Sequence, residues 1–94
     1  MYARVVRFTD VDSERIAALL EDLRGREGPP EGVPSTGIQF LYDAEQRTAV
    51  VVQLFASIED MNAGEAVLAQ MDPSETPGTR ASVDRCEIKA EMHA

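Results

Sequence analysis

Side chains that commonly act in catalysis or metal binding are few and far apart in this chain of 94 residues. His93 is the only histidine and lies next to the C-terminal residue, where chains are usually poorly anchored. Cys86 is the only cysteine, and on the apolar parity of a predicted strand we expect a small buried hydrophobe rather than a nucleophile. A metal site needs three or four ligands, so these two residues predict none. The glycines of Gly25–Pro34 are interleaved with prolines, which lack the amide donors of a phosphate loop. We therefore predict no metal and no cofactor, and we identify no catalytic residue.

Polar residues on otherwise apolar segments are better candidates for a binding site. Gln53 is the one polar member of an apolar run, so we expect it to be buried and its amide to be hydrogen-bonded. The partner is either a neighbouring strand or a second subunit, or else a carbonyl or hydroxyl group of a ligand. Tyr42, Arg85, Arg4 and Arg7 also lie on predicted strands. Each either reaches into a pocket and orients an anion or a phenol, or pairs with the surface acids.

Composition and charge restrict the class of protein. With 44% hydrophobic residues, the chain predicts a single globular domain over residues 1–94. The net charge of −8 repels a phosphate backbone, so we expect no nucleic-acid partner. A single cysteine forms no internal disulfide, and the longest apolar run, Ala49–Val52, is far shorter than a membrane span. Because Tyr2–Phe8 is already strand-like, we expect no signal peptide, no membrane association and a cytoplasmic location.

The first half of the chain has the pattern of a strand, a helix, a loop and a strand. Tyr2–Thr9 alternates loosely and predicts a strand. Residues 10–13 (Asp-Val-Asp-Ser) suit a helix start, and the apolar stripe that follows predicts a helix over Ser13–Arg24. Gly25–Thr36 is rich in glycine and proline and predicts a loop, either a surface excursion or a lid over a pocket. Gly37–Tyr42 resumes strand patterning.

The second half predicts a hairpin, a helix and a last strand. Asp43–Gln46 is short and polar, which is typical of a hairpin turn. Arg47–Ser57 predicts a strand that passes directly into a helix, with the serine as its cap. This helix must end before Pro73, and Gly64 on its apolar stripe predicts a close approach to the sheet. After a second loop, Ala81–Met92 alternates and predicts the last strand.

This order of elements predicts an α+β fold, the ferredoxin-like βαββαβ arrangement with two helices on one face of a four-stranded antiparallel sheet. The first and third strands are the inner ones in this topology. Two helices cover only one face, and an exposed apolar sheet face is rare in soluble monomers. We therefore expect a second copy of the chain to cover the other face, which makes the protein a homodimer. The third strand is apolar on both faces, with Val50, Val52 and Leu54 on one parity and Ala49, Val51 and Phe55 on the other.

The element order, the chain length and the passage Phe55-Ala56-Ser57 resemble the dimeric α/β-barrel superfamily, typified by antibiotic-biosynthesis-monooxygenase-like proteins. Many members have a strand ending Glu-x-Trp-x-Ser and a histidine about two helical turns later. At these positions the chain has Gln53, Phe55, Ser57 and Gly64, so the Glu/Trp/His pattern is not retained and the resemblance leaves enzymatic activity undecided. It implies that two sheets pack face to face into an α/β barrel, with ligands between sheet and helices or within the barrel.

Three functions are compatible with these features. The first is a homodimer that binds a small apolar or aromatic molecule between sheet and helices. The second is a cofactor-independent, monooxygenase-like enzyme in which Gln53, Tyr42 and Arg85 act on an activated aromatic substrate, and the third is a module whose open sheet face binds a different protein. A dimer cavity of several hundred Å³ lined by two of these polar side chains favours the enzyme. On the second helix, Met61 and Leu68 are either ordinary core or the apolar wall of a pocket. The candidates for a ligand pocket are Gln53, Phe55, Tyr42, Arg85, Met61 and Leu68.

Overall fold

Two helices lie on one face of a four-stranded antiparallel sheet in the computed structural model, which describes residues 1–25, 32–70 and 76–93. The strand order β2-β3-β1-β4 makes β1 and β3 the inner strands, as predicted. Each helix therefore connects two strands that have one antiparallel strand between them, which is the predicted ferredoxin-like arrangement. The elements are β1 (Tyr2–Thr9), α1 (Ser13–Arg24), β2 (Gly37–Asp43), β3 (Thr48–Phe55), α2 (Ile58–Leu68) and β4 (Thr79–Glu87).

Both helices begin at the caps that the sequence predicts. The Arg15 backbone N–H donates to Asp12 Oδ1 over 2.7 Å at the start of α1. At the start of α2 the Asp60 N–H donates to Ser57 Oγ over 3.1 Å. These side chains satisfy backbone donors that the helix itself leaves unpaired. α2 ends at Leu68, before Pro73 as predicted, while the two Gly/Pro loops lie partly outside the described residues.

The last strand is shorter than predicted, and its cysteine is exposed. β4 ends at Glu87 instead of Met92, because it lies at the edge of the sheet and its neighbour β1 begins at Tyr2, opposite Glu87. Only the bond from Ile88 N–H to the Met1 carbonyl, 2.9 Å long, continues the pairing among the described residues. Cys86 is exposed on the sheet face that points away from the helices, so its expected burial is wrong for the single chain.

The two faces of the sheet differ in their cover. Val51 and Phe55 of β3 lie under the helices and are buried. On the opposite face, Val52 and Leu54 are only half-buried and Leu41 of β2 is 50% exposed. We call this second surface the open face. Its apolar residues, given by the strand register, are Ala3, Val5, Leu41, Val50, Val52, Leu54 and Cys86.

The buried core beneath the helices is divided into two clusters within the described part of the chain. One lies beneath α1 and includes Ile16, Val11 and Phe8. The other lies beneath α2 and includes Phe55, Met61, Leu68 and Val33. On this face of the inner strands, the pair Arg4 and Gln53 lies between the two clusters, and both residues are buried.

Gly64 allows α2 to approach the sheet closely, as its position predicted. A Cβ at this position would lie 2.8 Å from Phe55 Cε1 and 3.3 Å from Val33 Cγ1. The first distance is shorter than ordinary carbon–carbon contacts, so any side chain here displaces the Phe55 ring.

We predict that Gly64→Ala lowers the free energy of unfolding by about 1–2 kcal/mol, because overpacking against Phe55 exceeds the roughly 1 kcal/mol that alanine gains in helix propensity. Urea denaturation of Gly64→Ala and Gly25→Ala measures this. A Cβ at Gly25 meets only the Asp22 carbonyl oxygen, at 3.5 Å, so this control variant should retain the stability of the parent. A Gly64→Ala variant more stable than the parent would contradict the close contact.

Candidate ligand-binding site

A cavity of about 660 Å³, partly open to solvent, lies between the helices and the sheet and is lined by residues of both core clusters. Pockets for small molecules usually measure about 300–1,000 Å³ and have mostly apolar walls with a few polar groups. Most of the surface around this cavity is apolar. Its size and character are therefore those of a small-molecule site.

The sheet forms the floor of the cavity. In the strand register Val51 of β3 lies between Val6 of β1 and Phe40 of β2, and all three line the cavity. Two residues further along β3, Gln53 lies opposite Arg4. The floor is thus apolar along most of its length and polar at one end.

Helix α1 forms much of the roof; of its lining residues, the predicted apolar stripe contained Leu19 and Leu23 and missed the others. Arg15, Ala18, Leu19 and Asp22 line the cavity and are spaced at i, i+3, i+4 and i+7, which places them on one side of a helix. The predicted apolar stripe began one residue later, at Ile16, which is buried in the first cluster. The spacing was visible in the sequence, but its mixture of charged and apolar residues resembles an ordinary helix surface.

Gln53 provides an unpaired acceptor in the floor. The residue is 5% exposed, and no donor among the described residues hydrogen-bonds to its Oε1 atom. An unpaired buried carbonyl costs about 1–3 kcal/mol, so such groups are rare in folded proteins. Gln53 faces the helices, and a second copy packed against the open face would therefore not reach it. Gln53 is therefore buried as predicted, whereas the expected hydrogen bond to its Oε1 atom is absent among the described residues.

An ion pair lies beside Gln53. Arg4 Nε donates to a carboxylate oxygen of Glu65, and the two side chains are 7% and 27% exposed. This contact connects the floor to α2 and balances the charge of a nearly buried guanidinium. Charge balance of this kind is required when an arginine is removed from water.

Gln53 and Leu68, two of the predicted pocket residues, are brought together at the cavity. Phe55 and Met61 are 0% and 1% exposed and belong to the second core cluster rather than to the described cavity lining.

The remaining two candidates make contacts elsewhere on the same sheet face. Tyr42 has its hydroxyl oxygen 3.0 Å from Ser13 Oγ. Arg85 donates to Asn62 Oδ1 on α2. Neither belongs to the described lining of the cavity, so the three polar residues of the monooxygenase-like hypothesis are not assembled in this chain.

Shifted pKa values occur at one end of β1 and β4. A hydrogen bond from the Tyr2 hydroxyl to Glu87 Oε2, 3.2 Å long, raises the pKa of Tyr2. Hydrogen bonds from Lys89 and then from Tyr2 lower the pKa of Glu87. Neither the Glu87 carboxyl group nor the Tyr2 hydroxyl belongs to the described lining of the cavity. No group of three histidine, cysteine or acidic side chains placed to hold a metal ion occurs within residues 1–25, 32–70 and 76–93.

Comparison of the chain with protein-family models, with curated proteins and with solved structures gave no match. The resemblance to the dimeric α/β-barrel superfamily therefore stays a hypothesis. Neither helix in the described part of the chain has the length and apolar character needed to cross a membrane.

We predict that Glu65→Ala lowers the free energy of unfolding by about 3 kcal/mol, because Arg4 is then left buried without its counter-charge. Glu21→Ala is the matched control, since Glu21 and Arg24 form an exposed pair on α1, 3.5 Å apart. Exposed pairs of this kind contribute about 0–1 kcal/mol. Urea denaturation of both variants measures the difference, and equal losses of stability would contradict a structural role for the buried pair.

Proposed function

We propose that this protein is a homodimer that binds a small apolar or aromatic molecule in the cavity between its helices and its sheet. The observation that carries the proposal is a cavity of about 660 Å³ with a largely apolar lining that includes Gln53. A purely structural core is usually packed without a space of this size. A ligand in the cavity supplies the missing packing.

Binding is favoured over catalysis by the position of the polar residues. The monooxygenase-like alternative assigns reaction steps to Gln53, Tyr42 and Arg85, of which Gln53 alone lines the described cavity. One amide positions a ligand but does not by itself transfer protons near neutral pH. A binding protein needs no more than a largely apolar cavity of suitable size.

Homodimer formation is supported by the composition of the open face. Val5 and Val52 lie opposite each other at its centre, and Leu54 lies beside them. Arg7 and Asp84 lie on the same face, so a second copy can meet each charge with its opposite. A two-fold pair is the simplest assembly in which such a surface covers itself.

We predict that N-phenyl-naphthylamine, a neutral fluorescent probe, binds once per chain with increased emission, because it enters an apolar cavity of sufficient volume. Ala18→Phe should weaken its affinity by about tenfold or more, since a ring at this lining position takes up cavity volume.

Ala17→Phe is the control for the cavity, because Ala17 is an exposed neighbour on α1 outside the described lining. Fluorescence titration of the parent and both variants measures their affinities for the probe. A parent protein without saturable binding up to the solubility limit of the probe, or equal affinities for the two variants, would rule out this cavity as the site.

We predict that Val52→Glu converts the dimer to a folded monomer, because the change buries two like charges at the centre of a symmetric interface. Ile58→Glu, which alters an exposed residue on α2, should leave the dimer intact. Sedimentation equilibrium, with circular dichroism to verify folding, measures both. A parent protein that sediments as a single chain at high micromolar concentration contradicts the homodimer.

A further inference from the structure

We propose that Arg7 of one copy and Asp84 of a second copy form two symmetric ion pairs across the open face, and that these pairs determine how the two copies are oriented. This inference rests on the proposed function, because it names the contacts within the same homodimer. It follows from two unpartnered charges at matched positions around the apolar centre of the open face.

Arg7 and Asp84 are exposed charges without a partner in the described part of the chain. Arg7 lies on the inner strand β1, beside Val50 of β3, and Asp84 of β4 lies opposite Val5. Neither side chain takes part in an ion pair or a hydrogen bond with the described residues. Both charges are therefore available to a second chain.

A second copy on the open face removes these charges from water. Burial of an unpaired charge is costly, so an interface that covers the centre of the open face must give Arg7 a counter-charge. Asp43, at the outer end of β2, already accepts hydrogen bonds from Gln46. Asp84 of the second copy is therefore the counter-charge that this face provides.

The strand register places Arg7 and Asp84 at equal distances from the centre of the open face. Neighbouring strands lie about 4.8 Å apart, and two residues along a strand span about 6.8 Å. Both Cα positions therefore lie about 7 Å from the midpoint of the Val5–Val52 pair, in different directions. A two-fold axis through this midpoint, along the bisector of the two directions, places each Arg7 over Asp84 of the other copy. The pair thus forms twice in one dimer.

The same two charges disfavour other two-fold arrangements. An axis that passes over Arg7 places the two guanidinium groups against each other, and an axis that passes over Asp84 does the same with the carboxylates. Like charges brought together across an interface strongly oppose association. The two residues therefore select one orientation of the dimer and exclude chains that lack the matching charges.

Charge exchange between the two positions tests the inference. Arg7→Asp and Asp84→Arg each replace two attractive contacts by two repulsive ones, so each variant alone should dimerise at least about 100-fold more weakly than the parent. In an equimolar mixture of the two variants, both contacts join opposite charges again, because each chain then presents one sign of charge at both positions. Native mass spectrometry, which resolves the variants by mass, should find more than about 90% of the dimers to be heterodimers.

Arg24→Asp and Glu21→Arg are the matched controls, since they make the same changes of net charge at an exposed pair on α1, away from the open face. Each should dimerise within about threefold of the parent at physiological salt, because long-range repulsion is then screened. Their mixture should contain the statistical proportion of heterodimer, about half of all dimers.

The outcomes separate this inference from the proposed function. Single variants that dimerise as tightly as the controls, or a mixture with the statistical proportion of heterodimer, would overturn the ion pairs and leave the homodimer in place. A parent protein that stays a single chain at high micromolar concentration would overturn both.

Neutral variants keep the test decisive if a reversed charge prevents folding, as judged by circular dichroism. Arg7→Gln and Asp84→Asn then form a double-mutant cycle for the dimerisation constant. We expect the two changes to be coupled by about tenfold or more, because either one alone leaves the other charge buried without its partner. Independent effects of the two changes would overturn the inference.

Discussion

Two inner strands with apolar residues on both faces are the constraint on which this structure depends. β1 and β3 pair from Tyr2 opposite Phe55 to Phe8 opposite Ala49, and apolar pairs such as Val6–Val51 and Val5–Val52 occur on both faces. The helices cover one face, and the connection of each helix to its strands prevents either from reaching the open face. Burial of apolar area is the main favourable term in folding, and at 94 residues a domain has little to spare. The topology therefore leaves one face of the sheet exposed, and a second chain packed on that face would bury it.

The cavity is a consequence of the same constraint on the covered face. α1 packs on a cluster that contains Ile16, α2 packs on one that contains Phe55, and the cavity is lined by residues of both clusters. Gly64 lets α2 approach Phe55 closely, so the second cluster is closely packed beside the cavity. Arg4 and Glu65 then connect α2 to the floor at the margin of the cavity. The space that remains is lined mainly by apolar side chains, with Arg4 and Gln53 at one end of its floor.

Local signals in the sequence predict the elements well and the cavity poorly. The bounds of α1, both helix caps and the close approach at Gly64 follow from side-chain chemistry within a few residues, and the structure confirms them. The end of β4 depends on where β1 begins, and the exposure of Cys86 depends on which face of the sheet the helices leave open; both are non-local properties of the fold. The cavity depends on how far α1 lies from the sheet, and hydrophobic periodicity does not encode that distance. The burial of Gln53 was predictable from its apolar neighbours, whereas its lack of a partner was not.

Native mass spectrometry of the protein purified from its own host tests the central claim most directly, because it reports chain stoichiometry and retained small molecules together. If both faces of the inner strands require cover, the intact species should have the mass of two chains with small neutral molecules bound, and mild collisional activation should release those molecules first. A species with the mass of one unmodified chain, free of any bound molecule under the same gentle conditions, would contradict it.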